Sequence, residues 1–166
     1  MGGVSDAAAM TDAEPTDYGA PPRGGWARLV CELLVDDLAA SRAFWEGLLG
    51  FAVAYQRPEQ HFVYLERPDG AQIMLCQRSG KWETGLLEPP YGRGVMFQVF
   101  VEALGEIEAS LLRAGQPLYA GPREVWRRWG DREGGKREIV VQDPDGYLVM
   151  LAEDLGERPL AADARR

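Results

Sequence analysis

Short apolar segments separated by polar turns run through the chain from residue 28 onward, and their pattern predicts several strands and one helix. Residues 29–35 (LVCELLV) have the length and apolar character of a buried strand. Asp36 and Asp37 then supply a helix N-cap, and the following residues predict a helix over 38–49 that ends at Gly50. Three more strands are expected, at 51–56, 62–66 and 71–77. The pattern therefore predicts one β-α-β-β-β unit.

The same order of elements returns in the second half of the chain. The strand-to-helix segment 35–38 (VDDL) matches 101–104 (VEAL), 66 positions later. The turn 68–70 (PDG) matches 144–146 (PDG), 76 positions later. Self-similarity of this kind indicates two consecutive copies of one structural unit.

The longer second offset means that the second unit carries additional chain. We place this insertion in the irregular, charged stretch 121–135, which contains Trp126 and Trp129. Because large aromatic residues on loops often take part in recognition, we expect an inserted loop that acts as a lid. The alternative, that both tryptophans cover the edge of the core, stays open.

Five segments follow from these patterns. The first is rich in Gly, Ala, Pro and Asp and lacks apolar periodicity, which predicts disorder. In chain order we expect a disordered leader over 1–26, a first module over 27–78, a linker over 79–93, a second module with the Trp-containing loop over 94–154, and a loose tail over 155–166.

Composition narrows the class of protein. The chain has 166 residues, of which 46% are hydrophobic and 27% charged, as in globular proteins. Its formal net charge of −8 disfavours nucleic acid and anionic membranes and would help attract a cationic partner. The arginines that flank Trp126 and Trp129 are offset by neighbouring acidic residues, so they do not change this view. His61 is the single histidine, which disfavours a multi-histidine metal site or a histidine-based triad.

Localisation follows from two further observations. No apolar stretch approaches the roughly 20 residues that a membrane-spanning helix needs, and the first 22 residues lack the pattern of a signal peptide. Cys31 and Cys76 each stand alone in apolar segments, which is typical of reduced thiols in a core. We therefore expect a cytoplasmic protein.

The repeated unit, together with residues 44–51 (FWEGLLGF) and 141–147 (VQDPDGY), resembles the vicinal oxygen chelate superfamily. This group includes glyoxalase I, extradiol dioxygenases, fosfomycin-resistance enzymes and bleomycin-resistance proteins, and the chain is most similar to the bleomycin-resistance branch. The resemblance implies an α+β fold in which two tandem βαβββ modules form curved, half-barrel sheets around a cleft. Small members of the group often form homodimers that pair the first unit of one chain with the second unit of the other.

The resemblance also implies where a divalent metal would bind in the enzymes of the group. The four inward positions fall on Val30, Met74, Met96 (or its neighbour Val95) and Met150. Valine has no donor atom, and the methionine thioether is a soft ligand that suits Cu(I). We therefore expect no divalent metal and no other cofactor.

Strand alternation predicts which side chains share the cleft, since residues two apart face the same side. Met74 and Met150 could instead be core filler, Glu32 could pair with an arginine of the same chain, and Trp82 could cover the core edge. The candidate ligand-binding residues are Glu32, Phe62, Tyr64, Met74, Trp82, Gln98, Phe100, Trp126, Trp129, Glu138 and Met150.

Three functional hypotheses follow. The first is a non-catalytic protein that binds and sequesters a cationic, aromatic small molecule such as a bleomycin-like antibiotic. The second is a metal-dependent lyase, dioxygenase or thiol transferase of the same superfamily, with replacement ligands drawn from Glu32, Gln98, Glu138 and His61. The third is a protein-interaction module, which would expose large apolar patches outside the cleft.

Overall fold

The computed structural model describes residues 18–160, and within them the first repeat forms a four-stranded sheet with one helix. Its strands lie in the order β1-β4-β3-β2, with β1 parallel to β4 and the other neighbours antiparallel. A short 3-10 turn, Pro58–Gln60, connects the second and third strands. The elements are β1 (Cys31–Val35), α1 (Leu38–Trp45), β2 (Ala52–Arg57), β3 (Phe62–Glu66) and β4 (Gln72–Gln77).

The second repeat has the same topology but longer strands. Its sheet has the order β5-β8-β7-β6, again with one parallel pair, between β5 and β8. The elements are β5 (Met96–Phe100), α2 (Leu104–Arg113), β6 (Leu118–Trp129), β7 (Arg132–Gln142) and β8 (Leu148–Pro159). The predicted α+β fold with two tandem βαβββ modules is confirmed, and neither sheet closes into a barrel. Neither helix between residues 18 and 160 is long and apolar enough to span a membrane.

Strand alternation separates two apolar clusters on the first sheet, as the sequence predicted. Leu33, Val63 and Leu75 belong to the main core, which also contains the buried faces of both helices and of the second sheet. Phe62 and Tyr64 point to the opposite side, where Met74 and Cys76 pack against them. One face of the sheet therefore builds the core, and the other is the inner face on which a ligand site was predicted.

The two modules are joined through the Pro-Asp-Gly turn of the second one. The buried Asp145 carboxylate accepts a hydrogen bond from the Asp36 backbone N–H at 2.8 Å and another from the Ser41 hydroxyl at 2.8 Å. The buried Asp143 carboxylate accepts one from the Trp45 indole N–H at 3.2 Å. Two carboxylates of the second module are thus hydrogen-bonded to the beginning and the end of α1.

The predicted irregular loop at 121–135 is wrong, because these residues continue β6 and β7 as a long hairpin. Ring contacts within the hairpin and ion pairs from β7 to the neighbouring β8 stabilise it in place of an alternating apolar pattern. Arg132 of β7 pairs with Glu157 of β8 at 2.8 Å, and Arg158 of β8 pairs with Glu133 of β7 at 2.6 Å. A strand assignment from hydrophobic periodicity fails here since the stabilising side chains are charged.

The ends of the chain also differ from expectation. The predicted loose tail is wrong for 155–159, which extend β8, and 161–166 lie outside the described residues. The predicted disorder of the leader is wrong for 18–26, while 1–17 lie outside the described residues.

Residues 18–26, which we term the strap, run along the free edge of β2. The backbone N–H of Gln56 donates to the Tyr18 carbonyl at 2.9 Å, and that of Ala20 donates to the Ala54 carbonyl at 3.0 Å. These bonds extend the sheet by a short additional segment, and they satisfy edge groups that a sequence pattern cannot assign to a partner.

Candidate ligand-binding site

Two adjoining cavities, of about 580 and 600 Å³, lie on the inner face of the first sheet, where the linker borders them. Glu32, Leu34 and Trp82 line both of them, which makes one continuous site. Cavities of a few hundred cubic ångströms are the usual size for small organic ligands. The site therefore has the dimensions of a small-molecule pocket.

The linker is held over this pocket by a network of polar side chains. The Arg78 guanidinium pairs with Glu83 at 2.9 Å and with Asp36 at 3.2 Å. The Tyr91 hydroxyl donates to the Asp36 carboxylate at 2.6 Å. Hydrogen bonds from Tyr91 and Arg78 lower the pKa of Asp36, and the Arg78 hydrogen bond lowers the pKa of Glu83. Both carboxylates are therefore ionised at neutral pH, and they fix the outer wall of the pocket.

Trp82 lies within that wall and is 80% exposed. Its backbone has a φ of +62°, in the left-handed region that a tryptophan adopts only where its surroundings impose it. The side chain lines both cavities without being packed into the core. The alternative that Trp82 covers the core edge does not agree with this exposure.

The deeper part of the pocket is formed by Phe62 and Cys76 on neighbouring strands. Burial raises the pKa of the Cys76 thiol, the nearby Glu32 carboxylate adds to the rise, and Arg57 and Lys81 oppose it. The thiol is therefore neutral at pH 7, which makes it a poor nucleophile. The thiol and three charged side chains thus lie close together in one pocket: Cys76, Glu32, Arg57 and Lys81.

Tyr64 and Met74, two predicted ligand-binding residues, lie next to this floor but do not line either cavity. The reason is the strap, which places Trp26 against the inner face. The Trp26 ring makes edge contacts with Tyr64 at 5.4 Å and with Tyr55 at 6.0 Å between ring centroids. The chain therefore covers part of the inner face with its own indole.

The candidate residues of the second module lie on the inner face of the other sheet. Gln98 is opposite Met150 in the pairing of β5 with β8, and Phe100 is half exposed with the Lys136 ammonium 4.5 Å from its ring centroid. Met150 is buried. None of these side chains lines either cavity of the first sheet.

Glu138 was expected to be an isolated carboxylate in the cleft, and this is wrong. It is completely buried, and its Oε1 pairs with Arg123 at 2.8 Å and more distantly with Arg127 at 3.6 Å. Its Oε2 has no hydrogen-bond partner in the described part of the chain. Glu138 therefore acts mainly within the second sheet, where it holds two arginines of β6.

Trp126 and Trp129 lie on β6 rather than on a loop, and their rings pack over glycines. The Trp126 ring covers Gly135. The guanidinium of Arg158, on β8, lies 3.7 Å from the centroid of the Trp126 ring. Trp129 covers Gly134 and is 48% exposed. A side chain at either glycine would collide with an indole, so both tryptophans are part of the hairpin's own packing. Neither lines either of the two cavities.

The positions that hold the divalent metal in the enzymes of the resembled group do not fit such an ion. Val30 precedes β1, Met74 lies in β4, and Met96 and Met150 lie in the second sheet, so the four positions offer three thioethers and no oxygen or nitrogen donor. Among residues 18–160 there is also no cluster of three His, Cys, Asp or Glu side chains that could hold a metal.

The proposed replacement ligands do not repair this deficit. Glu32 lies on the first sheet, whereas Gln98 and Glu138 lie on the second. Glu138 is already paired with Arg123. His61 is exposed at the end of the 3-10 turn, with a left-handed backbone. The donor set of the described residues therefore does not match a divalent metal site.

Sequence reasoning missed the strap residue Trp26 and the pocket residue Arg57. Alternation along β2 from Tyr55 would have placed Arg57 on the inner face, so a signal for it existed. Trp26 had no comparable signal, because its position depends on backbone hydrogen bonds between the strap and β2.

Comparison with known proteins agrees with this architecture. The family model "Glyoxalase/Bleomycin resistance protein/Dioxygenase superfamily" matches residues 28–151. No curated protein matches the chain significantly. A virulence protein from Salmonella typhimurium shares 24% identity over 77% of this chain and 97% of its own, with a TM-score of 0.57.

Two further solved structures have the same fold. TioX from Micromonospora sp. ML1 is 17% identical over 78% of this chain and 100% of its own, with a TM-score of 0.59. Lactoylglutathione lyase from Agrobacterium tumefaciens is 19% identical over 80% and 95%, with a TM-score of 0.51. Similarity at this level shows the fold alone. Because the family model covers most of the chain and both modules have the expected topology, this protein belongs to the glyoxalase/bleomycin resistance/dioxygenase superfamily.

Proposed function

We propose that this protein binds and sequesters a small organic molecule, without converting it, in the pocket on the inner face of the first sheet. The ligand carries a cationic group and an aromatic part, as bleomycin-like antibiotics do. The two free cysteines, Cys31 and Cys76, suit a reducing compartment, so we place this activity in the cytoplasm.

The observation that carries the proposal is the unpaired carboxylate of Glu32 beside aromatic side chains. Glu32 lines both cavities and makes no salt bridge with any side chain between residues 18 and 160. An arginine partner was the competing explanation for this carboxylate, and none is found in that range. The exposed Trp82 offers a ring face in the same pocket, which suits both apolar contact and cation–π contact with a ligand.

A homodimer would complete the site, and the exposure of the second sheet supports this part of the proposal. Met96 is 49% and Phe100 50% exposed on its inner face. Monomeric proteins rarely leave several large apolar side chains uncovered on one face. We propose that a second copy covers this face with its first module, so that each dimer contains two pockets. Sedimentation equilibrium at several concentrations tests it: a mass of 18.4 kDa throughout would contradict the dimer.

A thermal-shift screen of cationic aromatic compounds, with bleomycin and glycopeptide antibiotics among them, tests the function. A ligand present at 100 times its dissociation constant stabilises a folded protein by about 2.7 kcal/mol, which is readily measured. The proposal expects at least one such compound to raise the melting temperature. A panel without any stabilising compound would contradict it.

Glu32→Gln sharpens the screen, because it removes the charge and keeps the shape. The variant should weaken binding of a cationic hit by about tenfold, and this loss should shrink at high salt. Glu102→Gln is a matched control, since Glu102 is exposed and lies outside both cavities. Equal affinities for the parent and both variants would remove Glu32 from the site.

A further inference from the structure

Arg57 is a charged side chain of the pocket to which the proposed function gives no role. It ends β2 and lines the same cavity as Glu32. Its guanidinium carbon lies 3.9 Å from the centroid of the Phe62 ring, so the planar group stacks on an aromatic face. Stacking fixes the orientation of the guanidinium but supplies no hydrogen-bond acceptor.

The other arginines on the helix and strand ends of the first module all have acidic partners. Arg42 pairs with Glu46 at 2.5 Å, Arg67 pairs with Asp69 at 2.9 Å, and Arg78 pairs with Glu83 at 2.9 Å. Arg57 makes no salt bridge within residues 18–160, and its Nε is buried without a hydrogen-bond partner.

An unpaired, partly buried guanidinium is costly to maintain, because its N–H donors lose water without gaining an acceptor. A bound molecule with an anionic oxygen would supply that acceptor. Arginine also suits this task by geometry, since its planar donors match the two oxygens of a carboxylate.

Glu32 and Arg57 lie at opposite edges of the first sheet. Glu32 is on β1 and Arg57 is on β2, with β4 and β3 between them. Three strand spacings of about 4.8 Å, with a stagger of two residues along the strands, separate their backbones by roughly 16 Å. Both side chains extend toward the same cavity, where Phe62 and Cys76 form the floor between them. The remaining gap is of the order of one aromatic ring with a substituent at each end.

We propose that the ligand is amphoteric, with a cationic group held by Glu32, an anionic oxygen group held by Arg57, and an aromatic middle that lies between them, over β3 and β4. This inference rests on the proposed function and adds the second charge. It explains why Glu32 and Arg57 line one cavity and neither has a salt-bridge partner within residues 18–160.

Three small probes of matched size separate the two charges: benzylamine carries only the cation, benzoate only the anion, and 4-(aminomethyl)benzoate both. Affinities are measured by calorimetry and by protein-observed NMR. The inference expects the amphoteric probe to bind at least about tenfold more tightly than either singly charged probe, since two charge-assisted contacts act together.

Variants then assign each charge to its residue. Arg57→Met should remove the advantage of 4-(aminomethyl)benzoate over benzylamine. Glu32→Gln should have the converse effect with benzoate. Arg113→Met is the control, because Arg113 lies at the end of α2, outside both cavities. Arg57→Lys keeps the positive charge and loses the planar pair of donors. It is the second variant in case Arg57→Met does not fold, and it should retain part of the benzoate affinity.

The outcomes are distinct. Benzylamine binding that equals the amphoteric probe, with no effect of Arg57→Met, would overturn the inference and leave the proposed cation site intact. Loss of the benzoate contact in Lys81→Met but not in Arg57→Met would overturn the assignment to Arg57. Failure of all three probes to bind would contradict the proposed function itself.

Discussion

The two modules share one topology and one core, yet their inner faces have diverged. In the first module β2, β3 and β4 are five or six residues long, and the strap and the linker border their inner face. In the second module β6, β7 and β8 are 11 or 12 residues long, and large apolar side chains of the inner face remain half exposed. Because the core lies on the other face of each sheet, an inner face can change without loss of the fold.

The two inner faces also differ in whether their charged side chains are paired. Glu32 and Arg57 of the first face lack ion-pair partners in the described chain, whereas Glu138 of the second face is buried against Arg123. Unpaired charges in a pocket are available to a ligand, and paired buried charges stabilise a scaffold or its interface. The first face therefore fits the proposed ligand site, and the second fits the proposed dimer interface.

The largest expected effect concerns the two Pro-Asp-Gly turns, which are identical in sequence and different in role. Asp145→Ala removes the acceptor for the Asp36 N–H and the Ser41 hydroxyl at the junction of the modules. Leaving two such donors unsatisfied should cost roughly 2–4 kcal/mol of the free energy of unfolding. Urea denaturation measures this loss.

Asp69→Ala is the matched variant in the first module. Asp69 pairs only with Arg67 and with the Ala71 backbone N–H of its own turn. We expect a loss of about 1 kcal/mol, as for a local ion pair. Equal losses in the two variants would show that the turns are interchangeable, against the comparison drawn above.

The junction also predicts a pH dependence. Burial, with a smaller contribution from the Asp145 carboxylate, raises the pKa of Asp143 to about 6, against hydrogen bonds from the Tyr147 N–H and the Trp45 indole. A carboxyl with a raised pKa binds its proton more tightly in the folded state. Its contribution to stability is therefore complete below about pH 4 and is lost as the pH rises through 6.

Other carboxylates act in the opposite direction, so the effect must be measured as a difference. Asp36 and Glu83 have lowered pKa values, and they lose stabilising contacts as the pH falls. Between pH 4 and pH 7, the parent should lose on the order of 2 kcal/mol of unfolding free energy relative to Asp143→Asn. A constant difference across this range would place the Asp143 pKa near its ordinary value.

Sequence predicted the first module better than the second, for a physical reason. A sheet whose outer face is apolar shows a period of two, and Leu33, Val63 and Leu75 followed it. The long hairpin of the second module is stabilised by Trp126 over Gly135 and is joined to β8 by ion pairs such as Arg132–Glu157, so its sequence shows no apolar period.

The candidate site was predicted only in part. Glu32 and Phe62 line one pocket, on the face that strand alternation predicted, and the candidate Trp82 of the linker lines it too. Tyr64 is covered by Trp26, and Glu138 is paired with Arg123, and neither contact follows from a local pattern. Both depend on contacts with a segment that is distant in sequence.

A smaller effect is expected from the hairpin tryptophans. Trp126→Ala removes a ring that packs between Gly135 and Arg158, and it should cost about 1–2 kcal/mol of stability. Trp129→Ala should cost less stability, because Trp129 is half exposed. Melting temperature and ligand affinity are measured side by side. A loss of affinity at an unchanged melting temperature would restore the lid hypothesis, whereas the strand position predicts the reverse.

The smallest expected effect is that of a chelator, which should leave the melting temperature of the parent unchanged. Val30, Met74, Met96 and Met150 supply no donor that suits a hard or borderline divalent ion, so elemental analysis of the purified protein should find no stoichiometric zinc, nickel, manganese or iron. About one such ion per chain, lost on chelation with a measurable activity, would contradict both the binding proposal and the transferred positions.

Replacing methionines by histidine sharpens this test. Met74 and Met150 occupy equivalent strands, β4 and β8, but they lie on inner faces that differ in cover. If the transferred positions are right and the proposed dimer brings the two faces together, the double variant Met74→His/Met150→His should gain affinity for Zn²⁺ only in the dimer. Zinc-dependent stabilisation that disappears on dilution to the monomer would link the metal positions to the interface. Stabilisation that is independent of concentration would show that one chain brings both faces together, and the division into a binding face and an assembly face would then be wrong.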